Sequence, residues 1–98
     1  MRKVKLSEPV LEYLDDLTDY LVDELKISEE AACKRVGRIR IFLASLSYPA
    51  DYALCRFKKW RELGYRCAVF EKNWVFAYEV FENGVIIRDM AHTTILSE

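Results

Sequence analysis

The chain has 98 residues, of which 52% are apolar and 32% charged, and its formal net charge is −1. This mixture is typical of one globular domain, and three glycines and two prolines exclude a collagen-like or linker sequence. No apolar run approaches the roughly 20 residues of a membrane-spanning helix, and the N-terminal residues lack the apolar stretch of a secretory signal. We therefore expect a single domain over residues 1–98 that does not contact a membrane.

Three cysteines, Cys33, Cys55 and Cys67, are widely spaced and lack the CxxC spacing and nearby histidines of a zinc site. An odd number of scattered cysteines favours reduced thiols in a cytoplasmic protein over a disulfide framework. The sequence therefore predicts three free thiols, no metal site and a cytoplasmic location.

The charges are unevenly distributed along the chain. Residues 1–33 carry four cations and nine anions, residues 34–66 nine cations and two anions, and residues 67–98 two cations and five anions. The middle third therefore has a local balance of +7, which predicts a basic face that attracts nucleic acid or an acidic protein segment. A solvated, lysine-rich helix surface explains the same charges about equally well.

The first half of the chain has the periodicity of a short strand and two helices. Val4 and Leu6 alternate with lysines, which predicts the strand, and Ser7-Glu8-Pro9 is a typical helix start. Apolar residues then recur at helical spacing over residues 10–25 and again over residues 32–46, before Pro49. Two amphipathic helices with a short connection predict an antiparallel αα-hairpin whose apolar seam faces the core.

Residues 50–63 have no clean period. Four basic residues surround two aromatic ones there: Arg56, Lys58, Lys59 and Arg61 around Phe57 and Trp60. We expect a loop, with at most a short strand.

Residues 64–98 have the composition of β-strands. Aromatic and β-branched residues are concentrated over residues 65–71, 74–82 and 85–90. Asn83-Gly84 is a strong hairpin signal, and Lys72-Asn73 is a weaker one. Helices followed by an antiparallel meander predict an α+β domain in which the helix pair packs on one face of a twisted antiparallel sheet.

Two-residue turns would place Arg66 opposite Glu79 and Glu79 opposite Arg88, with His92 on the same face if the last strand continues. The other face then collects the better core, where we expect the helices: Cys67, Val69, Phe76, Tyr78, Val80 and Ile87. Two arginines and a histidine on the uncovered face predict a phosphate-binding and acid/base site. Alternatively, Glu79 neutralises both arginines in a surface ion network, and His92 lies at the end of the strand without a functional role.

Three segments resemble the RelE/ParE toxins of bacterial type II toxin–antitoxin modules. They are Gly64-Tyr65-Arg66, the stretch from Lys72-Asn73-Trp74 to Tyr78-Glu79-Val80, and the ending Val85-x-Ile87-x-x-Met90-x-His92. The opening Leu6-Ser7-Glu8-Pro9, before a tyrosine-bearing helix, also fits the family. This resemblance implies an αα-hairpin on a twisted antiparallel sheet, no cofactor, and a cognate antitoxin bound in a hetero-oligomer.

The resemblance assigns roles to individual residues. Arg66 matches an arginine that stabilises the phosphate transition state in mRNA-cleaving members, His92 matches a C-terminal acid/base position, and Arg88 is a second phosphate contact. Lys58 and Lys59 lie near lysines of the RelE-like enzymes, which makes the basic residues of 56–61 the substrate-binding candidates. Such cleavage uses the 2′-hydroxyl of the RNA and requires no metal.

Family function divides between two targets. RelE-like and YoeB-like members cut mRNA on the ribosome, whereas ParE-like members inhibit DNA gyrase without a hydrolytic site. The predicted one-sided row of Arg66, Arg88 and His92 favours mRNA cleavage slightly. Thr93, where YoeB-like enzymes have tyrosine, and Glu79, beside the arginines, weaken the mRNA-cleaving interpretation. The alternatives are a ParE-like gyrase inhibitor and a degenerate member that only binds antitoxin. We expect the antitoxin segment to be acidic and apolar and to cover the basic helix and the sheet.

Overall fold

The computed structural model describes residues 1–94, which form a helical hairpin packed on a mixed sheet. In chain order the elements are β1 (Lys3–Leu6), α1 (Glu8–Asp23), α2 (Glu29–Ala44), α3 (Lys58–Arg61), β2 (Arg66–Phe70), β3 (Trp74–Phe81) and β4 (Gly84–His92), with a 3₁₀ turn (Ser45–Ser47) after α2. The strand order is β1-β4-β3-β2, with β1 parallel to β4 and the meander antiparallel. The predicted α+β fold is confirmed. Within residues 1–94, no helix is long and apolar enough to cross a membrane.

Serines begin both long helices, but they use their hydroxyls differently. Ser28 caps α2 by accepting a hydrogen bond from the backbone N–H of Ala31 at 3.2 Å. Ser7 occupies the same position before α1, yet its hydroxyl donates instead to the carbonyl of Arg88 at 3.1 Å. Ser7 therefore joins the start of α1 to β4. Pro9 lies in the first turn, where a backbone N–H has no partner within the helix, and proline has no N–H to leave unpaired.

The helices cover one face of the sheet, here called the helix face. Its buried residues belong to α1, α2, the 3₁₀ turn and alternate positions of the strands: Val10, Leu14, Leu21, Ala32, Val36, Ile39, Leu43, Leu46, Ala68, Phe76, Tyr78, Val85, Ile87 and Met90. Phe42 of α2 stacks on Phe70 at 4.8 Å between ring centroids, which joins the second helix to β2. The predicted apolar seam of the hairpin is the one that faces the sheet.

The predicted register of the first hairpin is wrong by one residue. Phe70, not Glu71, pairs with Trp74, and a three-residue loop connects them in which Glu71 and Lys72 have positive φ. Because a slip of one residue moves every side chain of a strand to the other face, Cys67 and Val69 lie away from the helices. Phe76, Tyr78 and Ile87 lie on the helix face as predicted.

The predicted turn of the second hairpin is also wrong by one residue: Phe81 pairs with Gly84, so the turn residues are Glu82 and Asn83 rather than Asn83 and Gly84. Gly84 is needed for a close approach rather than for the turn, since a Cβ there would lie 2.5 Å from the carbonyl oxygen of Lys3 in β1. Further along, the register between β3 and β4 shifts after Tyr78, which pairs with Ile87, while Ala77 pairs with Asp89. At this β-bulge the consecutive residues Arg88 and Asp89 lie on the same face of the sheet, whereas strict alternation would place them on opposite faces.

Gly84→Ala should lower the free energy of unfolding by about 1–3 kcal/mol, because the new methyl group forces β1 away from β4. Gly37 in α2 provides the matched control, since a Cβ there meets nothing within 4 Å. Gly37→Ala should raise the free energy of unfolding by roughly 0.5–1 kcal/mol. Urea denaturation of both variants measures these changes, and equal midpoints would contradict the close packing of β1 on Gly84.

An ion pair near the N-terminus connects β1 to the segment that follows the helical hairpin. Two guanidinium nitrogens of Arg2 donate to the carboxylate of Asp51, at 2.6 and 3.3 Å. The hydroxyl of Tyr78 donates to the same carboxylate at 3.3 Å and accepts from the backbone N–H of Tyr52 at 2.9 Å. These bonds fix the start of residues 50–63 against the sheet.

The Arg2 guanidinium holds the pKa of Asp51 below its ordinary value of 3.8. The ion pair therefore contributes fully to the free energy of unfolding at pH values above the unfolded pKa of Asp51, which is about 4. The contribution is lost as the pH falls through the lower pKa that Asp51 has in the folded state. Asp51→Asn should lower the free energy of unfolding by about 1–2 kcal/mol at pH 7 and by much less in strong acid. Urea titrations at several pH values test this, with Asp15→Asn on the exposed face of α1 as the control. A deficit independent of pH would contradict the assignment.

Two further expectations are corrected by the segment before β2. Cys55 and Cys67 form a disulfide, so the prediction of three free thiols is wrong, and Cys33 is the exposed free thiol of residues 1–94. Residues 50–63 contain the short helix α3 where we expected only a loop. The expected short strand is limited to an isolated bridge between Leu54 and Arg66.

Candidate functional site

Arg66, Arg88 and His92 do not form the predicted row on one face. Arg66 pairs with Tyr78, and His92 pairs with Trp74, so both belong to positions on the helix face. The two pairs are four residues apart along β3, or roughly 13 Å. The predicted registers of Arg66 with Glu79 and of Glu79 with Arg88 are wrong, because Glu79 pairs with Ile86.

Arg66, the first residue of β2, is held in place by a contact with Tyr52. One guanidinium nitrogen donates to the carbonyl of Tyr52 at 2.7 Å, next to the Asp51–Tyr78 contact. The charge of Arg66 also contributes to the low pKa of Asp51. Arg66 therefore supports the polar network at that end of the sheet.

Arg88 lies on the sheet face away from the helices, here called the outer face. Its Nε donates to one Glu79 oxygen at 2.9 Å, one Nη lies 2.9 Å from the same oxygen, and its guanidinium lies 5.8 Å from the centroid of the Phe81 ring. Both side chains of the ion pair are about one-third exposed. The carboxylate neutralises the charge that a phosphate would require at Arg88. The alternative interpretation, in which Glu79 neutralises both arginines, is therefore correct for Arg88 and wrong for Arg66, which contacts Tyr52 instead.

His92 lies at the end of β4, in a groove beside α1. Its ring packs edge-on against Trp74, with centroids 5.0 Å apart, and the other lining residues include Tyr20, Arg35 and Thr94. The Nδ1 atom accepts from the backbone N–H of Thr94 at 3.3 Å, so in the neutral ring the proton is on Nε2. An Nε2–H at a groove wall can donate to an anion, but neither Arg66 nor Arg88 lines this groove.

The outer face holds the four predicted substrate-binding residues. Residues 56–61, here called the basic segment, expose the cationic side chains of Arg56, Lys58, Lys59 and Arg61. Two aromatic residues between them turn inward: Trp60 is buried and Phe57 is partly buried, and their rings meet edge-on at 5.8 Å. This alternation explains why the segment has no strand or helix period of its own.

A second hydrophobic cluster, here called the outer cluster, anchors the basic segment to the sheet. Its buried members are Cys55, Trp60, Val75 and Ala77. The indole N–H of Trp60 donates to the Asp89 carboxylate at 3.2 Å, and the β-bulge places that carboxylate on the outer face. The sequence contained the signal for this anchor, a tryptophan among basic residues, but not its docking position.

The cations of the basic segment are held by weak local contacts and remain largely solvated. Lys59 lies over the ring of Trp60, 4.7 Å from the centroid, and Arg56 lies over that of Phe57 at 5.7 Å. The Lys58 ammonium is 4.0 Å from the Glu62 carboxylate, and both side chains are mostly exposed. The segment therefore retains the positive potential to attract a polyanion or an acidic protein surface.

A second basic region lies along α2, beside the loop between β2 and β3. Lys34, Arg35 and Arg38 line a groove there, together with apolar residues of both helices and Trp74. Arg38 contacts the Glu71 carboxylate at 3.6 Å. The charge on α2 was visible in the sequence, but Arg35 also lines the groove that His92 lines, which depends on how the hairpin packs on the sheet.

No protein-family model and no curated protein sequence matches this chain.

Proposed function

We propose that the chain is the toxin of a type II toxin–antitoxin module and arrests bacterial growth by binding its target in the manner of ParE-like gyrase inhibitors. One observation supports this mechanism best: the basic segment stands exposed on the outer face, while Arg66, Arg88 and His92 are dispersed. A binding toxin needs a presented surface and no hydrolytic centre. The fold agrees with the family that the sequence resembles, since a helical hairpin covers one face of an antiparallel meander.

The second candidate is cleavage of ribosome-bound mRNA, which the groove beside α1 supports. His92 and Arg35 both line this groove, so an acid/base imidazole and a phosphate-binding guanidinium face the same space. The cation that assists His92 would then come from α2 rather than from the sheet. This mechanism requires His92, whereas gyrase inhibition does not.

The cognate antitoxin belongs to the same proposal. An acidic and apolar antitoxin segment would cover the groove along α2, where Lys34, Arg35 and Arg38 surround apolar residues. The complex is a cytoplasmic hetero-oligomer. Co-purification with the product of an adjacent small gene tests this partner, and the absence of any bound product would contradict the toxin–antitoxin assignment.

The functional test is induced expression in a bacterial host, with protein synthesis, transcript integrity and plasmid supercoiling followed separately. We expect growth to stop, supercoiling to relax and transcripts to remain intact. His92→Ala should leave the arrest unchanged, because His92 makes no contact with the basic segment among residues 1–94.

Cleaved transcripts together with growth of the His92→Ala strain would contradict gyrase inhibition and support the mRNA-cleaving candidate. Unimpaired growth of cells that accumulate the folded wild-type chain would contradict both mechanisms. Binding to an antitoxin without any arrest would identify a degenerate member of the family.

A further inference from the structure

The structure assigns a regulatory thiol–disulfide site to Cys55 and Cys67: we propose that oxidation of this pair locks the basic segment onto the outer face and that reduction releases it. The bond joins two cysteines 12 positions apart, one immediately before the basic segment and the other in β2. Every residue of the basic segment lies inside the loop that the bond closes. The redox state of the pair therefore acts on this segment more directly than on any other part of the chain.

The contacts that hold the segment without the disulfide are few. Cys55 donates its backbone N–H to Tyr65 at 2.9 Å, and Cys67 donates to Ala53 at 3.2 Å, around the isolated bridge of Leu54. The helix α3 has four residues, too few to persist without tertiary packing. Trp60 with its bond to Asp89, and the partly buried Phe57 and Tyr65, pack the segment on the outer face. A segment with so few contacts opens locally at a lower free energy than the sheet it covers.

The helix face does not depend on the disulfide. The hydrophobic core under the hairpin contains neither cysteine of the pair, whereas the buried Cys55 and the partly exposed Cys67 both belong to the outer cluster. Reduction should therefore loosen residues 53–67 while the packing of α1 and α2 on β3 and β4 persists. A thiol at Cys55 still packs as a small apolar group, so the reduced segment remains able to close.

The chemistry is an exchange with a low-molecular-weight disulfide such as glutathione disulfide. Cys67 is partly exposed and Cys55 is 1% exposed, so exchange begins at Cys67. The Cys67 thiolate attacks one sulfur of glutathione disulfide and releases the first glutathione thiolate. The Cys55 thiolate then attacks the Cys67 sulfur and releases the second. The two cysteines lose two protons and two electrons in total, and glutathione disulfide is reduced to two glutathione thiols.

The expected size of the effect follows from the length of the closed loop. A disulfide that closes about 15 residues restricts the open state enough to favour closure by roughly a hundredfold. The reducing cytoplasm would keep the pair mostly as thiols, and oxidising conditions would form the disulfide and hold the basic segment on the outer face. Any effect of this bond on growth arrest rests on the proposed function, whereas the effect of the bond on the segment does not.

Amide hydrogen exchange of the full chain tests the proposal, with one sample in glutathione disulfide and one in excess reduced glutathione. Alkylation of the denatured oxidised sample should leave Cys55 and Cys67 unlabelled and its mass should show no glutathione on either, whereas the reduced sample should be labelled at all three cysteines. On reduction, exchange at the amides of Cys55 and Cys67 should accelerate by roughly a hundredfold, with the amides of β3 and β4 unchanged.

Cys67→Ser should exchange like the reduced wild type in both buffers, and Cys33→Ser should respond to the two buffers as the wild type does. Alkylation of Cys55 or Cys67 in the oxidised sample, or equal exchange in the two samples, would overturn the proposal. Equal acceleration throughout the sheet would also overturn it, because the bond would then stabilise the whole domain rather than the segment. None of these readouts depends on toxicity, so they fail independently of the proposed function.

Discussion

Trp60→Ala should lower the free energy of unfolding by about 3 kcal/mol, at the lower end of the range for deleting a buried tryptophan. Trp60 is 2% exposed, and its indole fills the space between the basic segment and the outer face. The loss falls at the lower end because the segment lies at the edge of the molecule and can collapse into the cavity. For a domain of this size, such a loss lowers the melting temperature by roughly 12–24 °C.

The control separates packing from hydrogen bonding. Trp60→Phe keeps an aromatic ring in the outer cluster but removes the N–H that bonds to Asp89, so we expect a loss of only about 1 kcal/mol. Thermal unfolding of the three proteins followed by circular dichroism measures the difference. A Trp60→Ala protein that melts at the wild-type temperature would show that the segment is not anchored through this side chain.

Lys58→Gln combined with Lys59→Gln should weaken target binding roughly tenfold, equivalent to about 1.4 kcal/mol, and relieve growth arrest accordingly. Both ammonium groups are exposed, so their removal should change the free energy of unfolding by less than about 0.5 kcal/mol. The loss of binding should be greatest at low ionic strength, because salt screens exposed charges. Colony counts after induction, at matched protein levels, measure the relief.

The chain contains a close match for this pair of substitutions. Lys34 and Arg40 are exposed on α2, and Lys34 has the same kind of weak ion pair, with Glu30 at 3.5 Å, that Lys58 has with Glu62. Lys34→Gln with Arg40→Gln removes the same charge from the opposite side of the sheet and should leave the arrest intact. Equal relief by the two double variants would mean that net charge, rather than the basic segment, determines toxicity.

The elements could be predicted from the sequence because each has a strong local signal. The helical spacing of apolar residues fixed both long helices, and Pro49 lies just beyond the end of the second. Aromatic and β-branched residues located the meander, and Asn83-Gly84 located the second hairpin to within one residue of its turn. The face that the helices cover followed from the same pattern at Phe76, Tyr78 and Ile87.

The candidate site could not be predicted because it depended on register, which local signals specify poorly. Glu71 and Lys72 adopt positive φ without being glycine or asparagine, and they lengthen the first turn by one residue. The second turn lies one residue earlier than predicted, which pairs Glu79 with Ile86, and the bulge near Arg88 adds a further shift. Arg88 is therefore on the outer face, while Arg66 and His92 are on the helix face at positions four residues apart along β3.

The outer cluster could not be predicted because its parts come from distant positions. A single helical turn such as α3 is too short to leave a periodic pattern, and it exists because Trp60 docks on Val75 and Ala77. The pairing of Cys55 with Cys67 likewise follows from the path of residues 50–63 back along the edge of β2. Cysteine count alone pointed to free thiols instead.

The most direct test of gyrase inhibition through the basic segment is a supercoiling assay with purified gyrase, titrated with the purified chain and with the two double variants. The wild-type chain and the Lys34→Gln, Arg40→Gln protein should inhibit supercoiling at similar concentrations, and the Lys58→Gln, Lys59→Gln protein should require roughly tenfold more. Full supercoiling activity in the presence of a large excess of the folded wild-type chain would contradict the account.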